Sequence, residues 1–354
     1  MRLGIIGLPQ TGKTTIFNAL TRGDQPVTTS GGRFEVHTGV VDVPDERVDR
    51  LSAMFKPKKT IYAKVTYADI AGLEGGKAAI SGALLNQLSQ MDGLLHVVRC
   101  FDDPSVPHPA ITIDPQRDIA TMDAELLIND MIAVERKLER LAEERKKGGG
   151  RDKAVVEREI ALFTRFYEAL SQEIPLREIE ITPEDEKVLS GFGFLTRKPL
   201  LLLLNLAEGQ LAPVIDAVRP HVGQVALQGK LEMDFAQLPS EDAELFMAEY
   251  GIEELGLKRV ISLSYDLLGQ QSFFTVGEDE VRAWTVNRGA TALEAAGAIH
   301  TDLMKGFIRA EVVTYQDLVT LGGLAEARSK GKLRLEGKEY IVQDGEIVHI
   351  RFNL

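Results

Sequence analysis

Residues 3–20 read LGIIGLPQTGKTTIFNAL, and this stretch decides the fold. Leu3–Ile6 is a short apolar run that predicts a buried strand, and Lys13–Leu20 is a good helix start. The segment Gly7–Thr14 between them fits the pattern G-x-x-x-x-G-K-[ST]. Its glycines let backbone N–H groups turn inward and surround phosphate oxygens. The stretch therefore predicts the strand, loop and helix of a phosphate-binding α/β fold.

The same loop predicts contacts to a nucleoside triphosphate and to Mg²⁺. We expect the Lys13 ammonium to reach the β- and γ-phosphates and to act in hydrolysis, and the Thr14 hydroxyl to ligate Mg²⁺. Further nucleotide contacts are assigned to the loop and the first helical residues: Pro9, Gln10, Thr11, Gly12 and Thr15. ATP or GTP is the expected substrate.

Four further apolar runs predict the rest of a doubly wound parallel sheet: Ala63–Ile70, Gly93–Cys100, Leu200–Leu206 and Gln224–Leu227. Parallel strands are covered on both faces and therefore read as nearly continuous apolar runs. Asp69, at the end of the second strand, is expected to hold Mg²⁺ through water. The N–H of Gly72, three residues later, is expected to sense the γ-phosphate during catalysis.

The fourth strand ends in Asn205-Leu206-Ala207-Glu208, where GTPases carry N-K-x-D. In those proteins the aspartate accepts hydrogen bonds from guanine, which adenine cannot donate. Glu208 stands at the aspartate position with a longer side chain, and Leu206 replaces the lysine. We assign Asn205, Leu206 and Glu208 to the base, with adenine favoured over guanine. A plain strand exit without a binding role is the alternative.

Residues 118–171 interrupt this α/β pattern with two charged helices. Each helix has apolar residues at 4-3-4-3 spacing, the pattern of a coiled-coil seam: Leu127, Met131, Val134, Leu138 and Leu141, then Val156, Ile160, Phe163, Tyr167 and Leu170. Gly148–Gly150 between them predicts a turn, and a helix over 119–145 would be roughly 40 Å long. The tip is basic (145–153), which fits either a solvated helix end or a contact to RNA.

The region after about Ser272 predicts a small α+β domain. Val281–Thr285 alternates like a strand, Ile341–Ile350 reads as a hairpin around Asp344-Gly345, and Ala292–Met304 reads as one helix. A second basic cluster follows the helix, at Arg328, Lys330, Lys332 and Arg334. It too fits either a solvated face or an RNA contact.

Composition and charge narrow the class of protein. A net charge of −12 over 354 residues argues against a whole-surface nucleic-acid binder and against DNA sequence readout. The single cysteine, Cys100, fits a reducing cytosol. The sequence has no membrane-length apolar run and no signal-peptide pattern. We therefore expect a cytoplasmic protein that does not bind membranes, and we expect a monomer.

Beyond the loop, the chain resembles the YchF family of Obg-related P-loop proteins over almost its whole length. The resemblance rests on seven segments: Gly7–Thr14, Thr38–Asp45, Asp69–Leu73, His96–Phe101, Asn205–Glu208, Glu280–Thr285 and Lys305–Ala310. It implies a G domain (1–116 and 197–271), an inserted antiparallel coiled-coil hairpin (117–196) and a C-terminal β-grasp TGS domain (272–354).

The family resemblance also implies a function. It implies preference for ATP over GTP, association with ribosomes or RNA, and a hydrophobic residue, here Leu73, in place of the water-positioning glutamine. A histidine on a loop after the His96–Phe101 strand then becomes the candidate to orient the attacking water, and His108 occupies that place. The alternative for His108 is an exposed loop residue without a role. The other five histidines are interpreted as structural.

Two departures from the family pattern bear on hydrolysis. Arg33 stands where the family has a Mg²⁺-binding threonine, and Thr28 or Thr29 would substitute only if the loop shifts. The segment Glu74–Gly82 alters the glycine- and lysine-rich run of the second switch. The leading hypothesis is a regulatory switch with slow, Mg²⁺-dependent hydrolysis of ATP. The alternatives are a nucleotide-dependent binding module with negligible turnover or a GTP-preferring GTPase; a metabolic kinase is disfavoured.

Overall fold

The computed structural model describes residues 1–25, 36–70, 80, 82–147, 151–216, 219–249, 252 and 254–353. The chain forms two compact units, residues 1–39 with 66–260, and residues 40–65 with 261–354. Residues 40–65 thus group with the C-terminal residues, although the predicted boundaries place them in the first domain. Those boundaries stay a prediction.

The structure contains twelve strands among the described residues: β1 (Arg2–Ile6), β2 (Val36–Asp42), β3 (Lys59–Ile61), β4 (Lys64–Ile70), β5 (Gly93–Arg99), β6 (Leu200–Asn205), β7 (Val222–Leu227), β8 (Gln270–Val276), β9 (Glu280–Asn287), β10 (Phe307–Val313), β11 (Arg334–Glu336) and β12 (Ile347–Phe352).

The helices of the described residues are α1 (Lys13–Thr21), α2 (Glu46–Phe55), α3 (Gly82–Ser89), α4 (Pro115–Lys147), α5 (Lys153–Ser171), α6 (Pro183–Leu189), α7 (Gly229–Gln237), α8 (Ser240–Glu249), α9 (Gly256–Leu267), α10 (Ala292–Ile299), α11 (Thr301–Lys305), α12 (Tyr315–Leu321) and α13 (Leu324–Ser329), with a 3₁₀ turn at Leu176–Glu178. None of these helices is long and apolar enough to cross a membrane.

The first unit is built on a sheet in the order β2-β4-β1-β5-β6-β7. The pairs β4–β1, β1–β5, β5–β6 and β6–β7 are parallel. Every residue of β5 and β6 is buried, because helices cover both faces. Parallel pairing brings the carboxyl ends of β1, β4, β5 and β6 to one edge, where ligands bind in open α/β sheets. The predicted α/β fold is confirmed.

The helical insert is confirmed as α4 and α5, with one change in the seam. Leu127, Val134 and Leu141 of α4 pack with α5 as predicted. On α5, however, Tyr167 is 37% exposed, whereas Phe166 is fully buried against the rings of Phe163 and Phe194. The α5 stripe is therefore wider than a coiled-coil seam, because aromatic residues after the hairpin pack on it. The predicted turn at 148–150 lies outside the described residues.

The second unit contains a sheet in the order β11-β10-β12-β8-β9-β3. Two of its predicted elements were wrong in detail. Ile341 forms only an isolated bridge to Thr291, and β12 pairs with β10 and β8, so Asp344-Gly345 is a turn without a hairpin. The helix predicted over 292–304 breaks at His300, whose extended backbone and side chain begin α11.

Candidate nucleotide-binding site

The loop between β1 and α1 has the backbone that its sequence predicts. Gly7, Gln10 and Gly12 have positive φ angles of 151°, 61° and 93°. A Cβ on Gly7 would lie 2.5 Å from the Val97 carbonyl oxygen, and one on Gly12 would overlap the Asn205 amide nitrogen. The residue before α1 is Gly12, and no side chain of the described residues caps the start of this helix. The first N–H groups of α1 are therefore open to an anion at the positive end of the helix dipole.

Lys13 lies folded over this loop. Its Nζ donates hydrogen bonds to the carbonyl oxygens of Gly7 at 2.9 Å and Leu8 at 2.8 Å. Burial lowers the pKa of Lys13 to about 8, and the charge of Asp69 opposes part of that shift. Burial, with a smaller contribution from Lys13, also lowers the pKa of His96 to about 3. His96 is therefore neutral, and Lys13 carries the positive charge here.

Thr14 and Asp69 meet at the predicted metal position. The Thr14 hydroxyl donates to Asp69 Oδ2 at 2.8 Å, and Asp69 is buried at the end of β4 beside Ile5 of β1. A hydroxyl and a carboxylate are oxygen donors of the kind that Mg²⁺ takes, so these residues fit that ion. The described residues contain no group of three or more acidic, histidine or cysteine ligands. The remaining metal ligands would have to come from phosphate and water.

Asn205 joins three segments of the site. Its Nδ2 donates to the Thr11 carbonyl at 3.0 Å, and its Oδ1 accepts from the Gly229 N–H at 3.0 Å. A Cβ on Gly229 would lie 2.6 Å from Asn205 Oδ1 and 2.6 Å from Ile16 Cδ1. Sequence reasoning missed Gly229, because the contact that requires a glycine there comes from a distant strand. Asn205 thus positions the phosphate-binding loop.

The other two residues assigned to the base lie in different environments. The Leu206 side chain is only 8% exposed and belongs to the hydrophobic core beside the sheet. Glu208 is exposed, and its carboxylate makes no hydrogen bond or ion pair with the described residues. Of the pair, Glu208 therefore has a side chain that is free to meet a ligand.

His108 is held away from solvent by two hydrogen bonds. Its Nε2 lies 2.9 Å from Asp118 Oδ2, and its Nδ1 accepts from the Ala110 N–H at 3.1 Å. The imidazole is only 2% exposed, and Arg117 binds the other oxygen of Asp118. Because Nδ1 accepts, Nε2 carries the proton that it donates to Asp118. In this conformation His108 fastens its loop to the start of α4.

Several residues singled out from the sequence lie outside the described residues. They are Gly72 and Leu73 of the second switch with its altered run 74–79, and Thr28, Thr29 and Arg33 of the first switch.

Both basic clusters are largely neutralised by acidic neighbours. At the helical tip three cations have carboxylates within 4.0 Å, in the pairs Arg145–Glu157, Lys147–Glu143 and Arg151–Glu144. In the second unit the pairs are Arg328–Glu311, Lys332–Asp317 and Arg334–Glu346. Lys146, Lys153 and Lys330 have no acidic partner in the described parts of the chain. The sequence alone therefore overstated the positive charge of both clusters.

Comparison with known proteins gives matches over the full length. The model YchF-GTPase_C, described as "Protein of unknown function (DUF933)", matches residues 270–353, and the model described as "50S ribosome-binding GTPase" matches residues 2–137. The ribosome-binding ATPase YchF of Bacillus subtilis is 39% identical over 365 aligned positions, which cover 99% of each chain. Its Escherichia coli O157:H7 counterpart is 37% identical, over 100% of this chain and 99% of the other.

A solved structure agrees with these sequence matches. The Schizosaccharomyces pombe YchF GTPase superposes with a TM-score of 0.85 at 31% identity, and the match covers 99% of this chain and 97% of that one.

Proposed function

The chain belongs to the YchF family, and on that premise we propose that it is a Mg²⁺-dependent ATPase that associates with the ribosome. The observation that carries the proposal is the arrangement of Lys13, Thr14 and Asp69 around the open start of α1. This arrangement offers one cation, a ring of N–H donors and two oxygen ligands, which together suit a triphosphate with its metal.

In this proposal Lys13 binds the phosphate groups and Thr14 binds the metal. The Lys13 ammonium exchanges the carbonyl oxygens of Gly7 and Leu8 for phosphate oxygens, which are better acceptors because they are charged. Thr14 and Asp69, which hydrogen-bond to each other here, would both turn their oxygen atoms to the metal. Bound Mg²⁺ would neutralise charge on the transferred phosphoryl group.

ATP is the proposed substrate, with GTP bound more weakly. After β6, Glu208 stands where the N-K-x-D motif of GTPases has its aspartate. Its exposed carboxylate has no partner in the described chain. The amide of Asn205 is engaged with backbone groups on both sides, so it supports the loop instead of selecting the base. Titration with fluorescent ATP and GTP analogues tests this preference, and tighter binding of the GTP analogue would contradict it.

His108 is proposed to orient the attacking water, and Gly72 to contact the γ-phosphate. Before His108 can act, the bonds from its ring to Asp118 and Ala110 must break. That requirement makes slow hydrolysis the expected behaviour, because only a minor conformation is competent.

The same two bonds favour a second candidate function, a nucleotide-dependent binding module with negligible turnover. Steady-state phosphate release with Mg²⁺ separates the two, with Lys13→Ala as the blank. Phosphate release clearly above the Lys13→Ala blank supports the ATPase. Phosphate release equal to the blank supports the binding module with negligible turnover. A monomer acting in the cytoplasm fits either candidate.

Ribosome association is proposed to use four cations at or beside the two basic clusters that have no acidic partner in the described chain. These are Lys146 and Lys153 at the helical tip and Lys330 with Arg309 in the second unit. Unpaired surface cations attract RNA phosphates most strongly, because the positive potential of a paired cation is largely cancelled by its neighbouring carboxylate. The matched controls for their reversal to glutamate are Lys187 and Lys305, which are also exposed and have no acidic partner among the described residues.

A further inference from the structure

Gln210 connects two loops at the edge of the nucleotide site. Its Oε1 accepts from the Ala207 N–H at 2.8 Å, and its Nε2 donates to the Cys100 carbonyl at 2.8 Å. Its own backbone N–H donates to the Ala207 carbonyl at 3.2 Å. Both ends of one side-chain amide are therefore satisfied by backbone groups, one in the loop after β6 and one at the end of β5.

These bonds close the loop that carries Glu208. Before the loop, the Asn205 carbonyl accepts from the Cys100 N–H and the Leu206 N–H donates to the Leu227 carbonyl, both at 2.9 Å. Within it, directly after Glu208, Gly209 has a φ angle of 70°, a left-handed conformation that reverses the chain and that favours glycine. Gln210, the next residue, supplies the two side-chain hydrogen bonds that hold the backbone of the loop.

Glu208 depends on this support, because no other described residue holds its carboxylate. Its carboxylate is exposed and has no partner among the described residues, so the direction in which it leaves the backbone is set by Ala207 and Gly209. A recognition group selects between two bases only when it is held in place, since a mobile one adapts to either.

We propose that Gln210 is a positioning residue for base selectivity, which fixes the loop after β6 so that Glu208 meets the base in one orientation. The inference rests on the proposed binding of a purine nucleotide at this edge. It does not require that the preferred base be adenine, because a fixed loop sharpens whichever preference exists.

The test compares Gln210→Ala with wild type for affinity to ATP and GTP analogues and for kcat and KM with each nucleotide. We expect the ratio of the two affinities to fall about tenfold toward one. We expect kcat to change less than twofold, because no phosphate contact is altered. Gln210→Glu keeps the acceptor for Ala207 but loses the donor to Cys100, so its ratio should fall between the other two. Gln116→Ala, an exposed glutamine on α4 without a partner in the described chain, is the control.

Two outcomes overturn the proposal. One is an unchanged affinity ratio in Gln210→Ala. The other is an equal loss of affinity for both nucleotides, which would show a structural role alone. A wild-type preference for GTP would instead refute the assignment of ATP, and a collapse of that preference in the variant would still support Gln210.

Discussion

Raising the pH from 7 to 9 should weaken nucleotide binding, because Lys13 loses its proton within that range. The buried ammonium has a pKa of about 8 in the free protein. A triphosphate beside it stabilises the charged form, so the bound complex keeps the proton at higher pH. The second ionisation of a phosphate group has a pKa of about 6, so it is nearly complete at pH 8 and contributes little there.

The size of the effect follows from that pKa. The charged fraction of Lys13 falls from about nine-tenths at pH 7 to about one-tenth at pH 9, so Kd for ATP should rise about tenfold. At pH 8 half of the molecules are neutral, and binding should take up about half a proton. Near pH 6.5, well below the pKa of Lys13, the uptake by this group should almost vanish.

Isothermal titration calorimetry measures this uptake directly. Titrations at pH 8 in two buffers with different ionisation enthalpies give the number of protons from the difference in observed heat. Lys13→Arg is the control, because arginine stays charged throughout and should bind with little pH dependence. Equal heats in both buffers, or the same Kd at pH 7 and pH 9, would refute the argument that burial makes Lys13 titratable.

Three further outcomes are expected. Gly229→Ala should destabilise the protein by about 1–3 kcal/mol, since its Cβ would press on Asn205, and should weaken nucleotide binding; an unchanged melting temperature would contradict this. His108→Ala should slow phosphate release while leaving nucleotide affinity nearly unchanged, and a loss of affinity with turnover intact would disprove the role. Lys146→Glu with Lys153→Glu should weaken ribosome co-sedimentation more than the same reversals at Lys187 and Lys305, and equal effects would remove the tip from the interface.

The sheet and the phosphate loop could be predicted from the sequence because their signals are local. Runs such as Leu200–Leu204 are apolar throughout when both faces of a strand are covered, and the loop pattern fixes residue types at set spacing. The presence of α4 followed from helical periodicity in the same way, although the helix (115–147) extends beyond the predicted 119–145 at both ends. Each of these features is determined by neighbours a few positions away.

What the sequence did not reveal depends on partners in other helices, strands and loops, which no local pattern identifies. His108 looks like a loop residue until Asp118 is seen against its ring. The tip looks strongly basic until Glu157 and Glu144 are placed beside Arg145 and Arg151. A glutamine such as Gln210 gives no local signal, because its two partners are backbone groups of separate loops.

Strand β3 shows the same dependence most plainly. Lys59–Ile61 is short and contains two polar residues out of three, so no alternation predicts it. It nevertheless pairs in parallel with Glu280–Arg282 of β9. Lys58 also binds Asp279, at a sequence separation of 221 residues. Only tertiary structure makes this segment a strand.

That separation has a consequence for how the chain is made. During synthesis at about 5–20 residues per second, residues 59–61 emerge about 10–45 s before their partner strand exists. During that interval residues 40–65 cannot pair with β9, because this strand has not yet been synthesised. Completion of the second unit therefore belongs to the last stage of translation, and truncated chains ending before residue 280 should leave 40–65 open to protease.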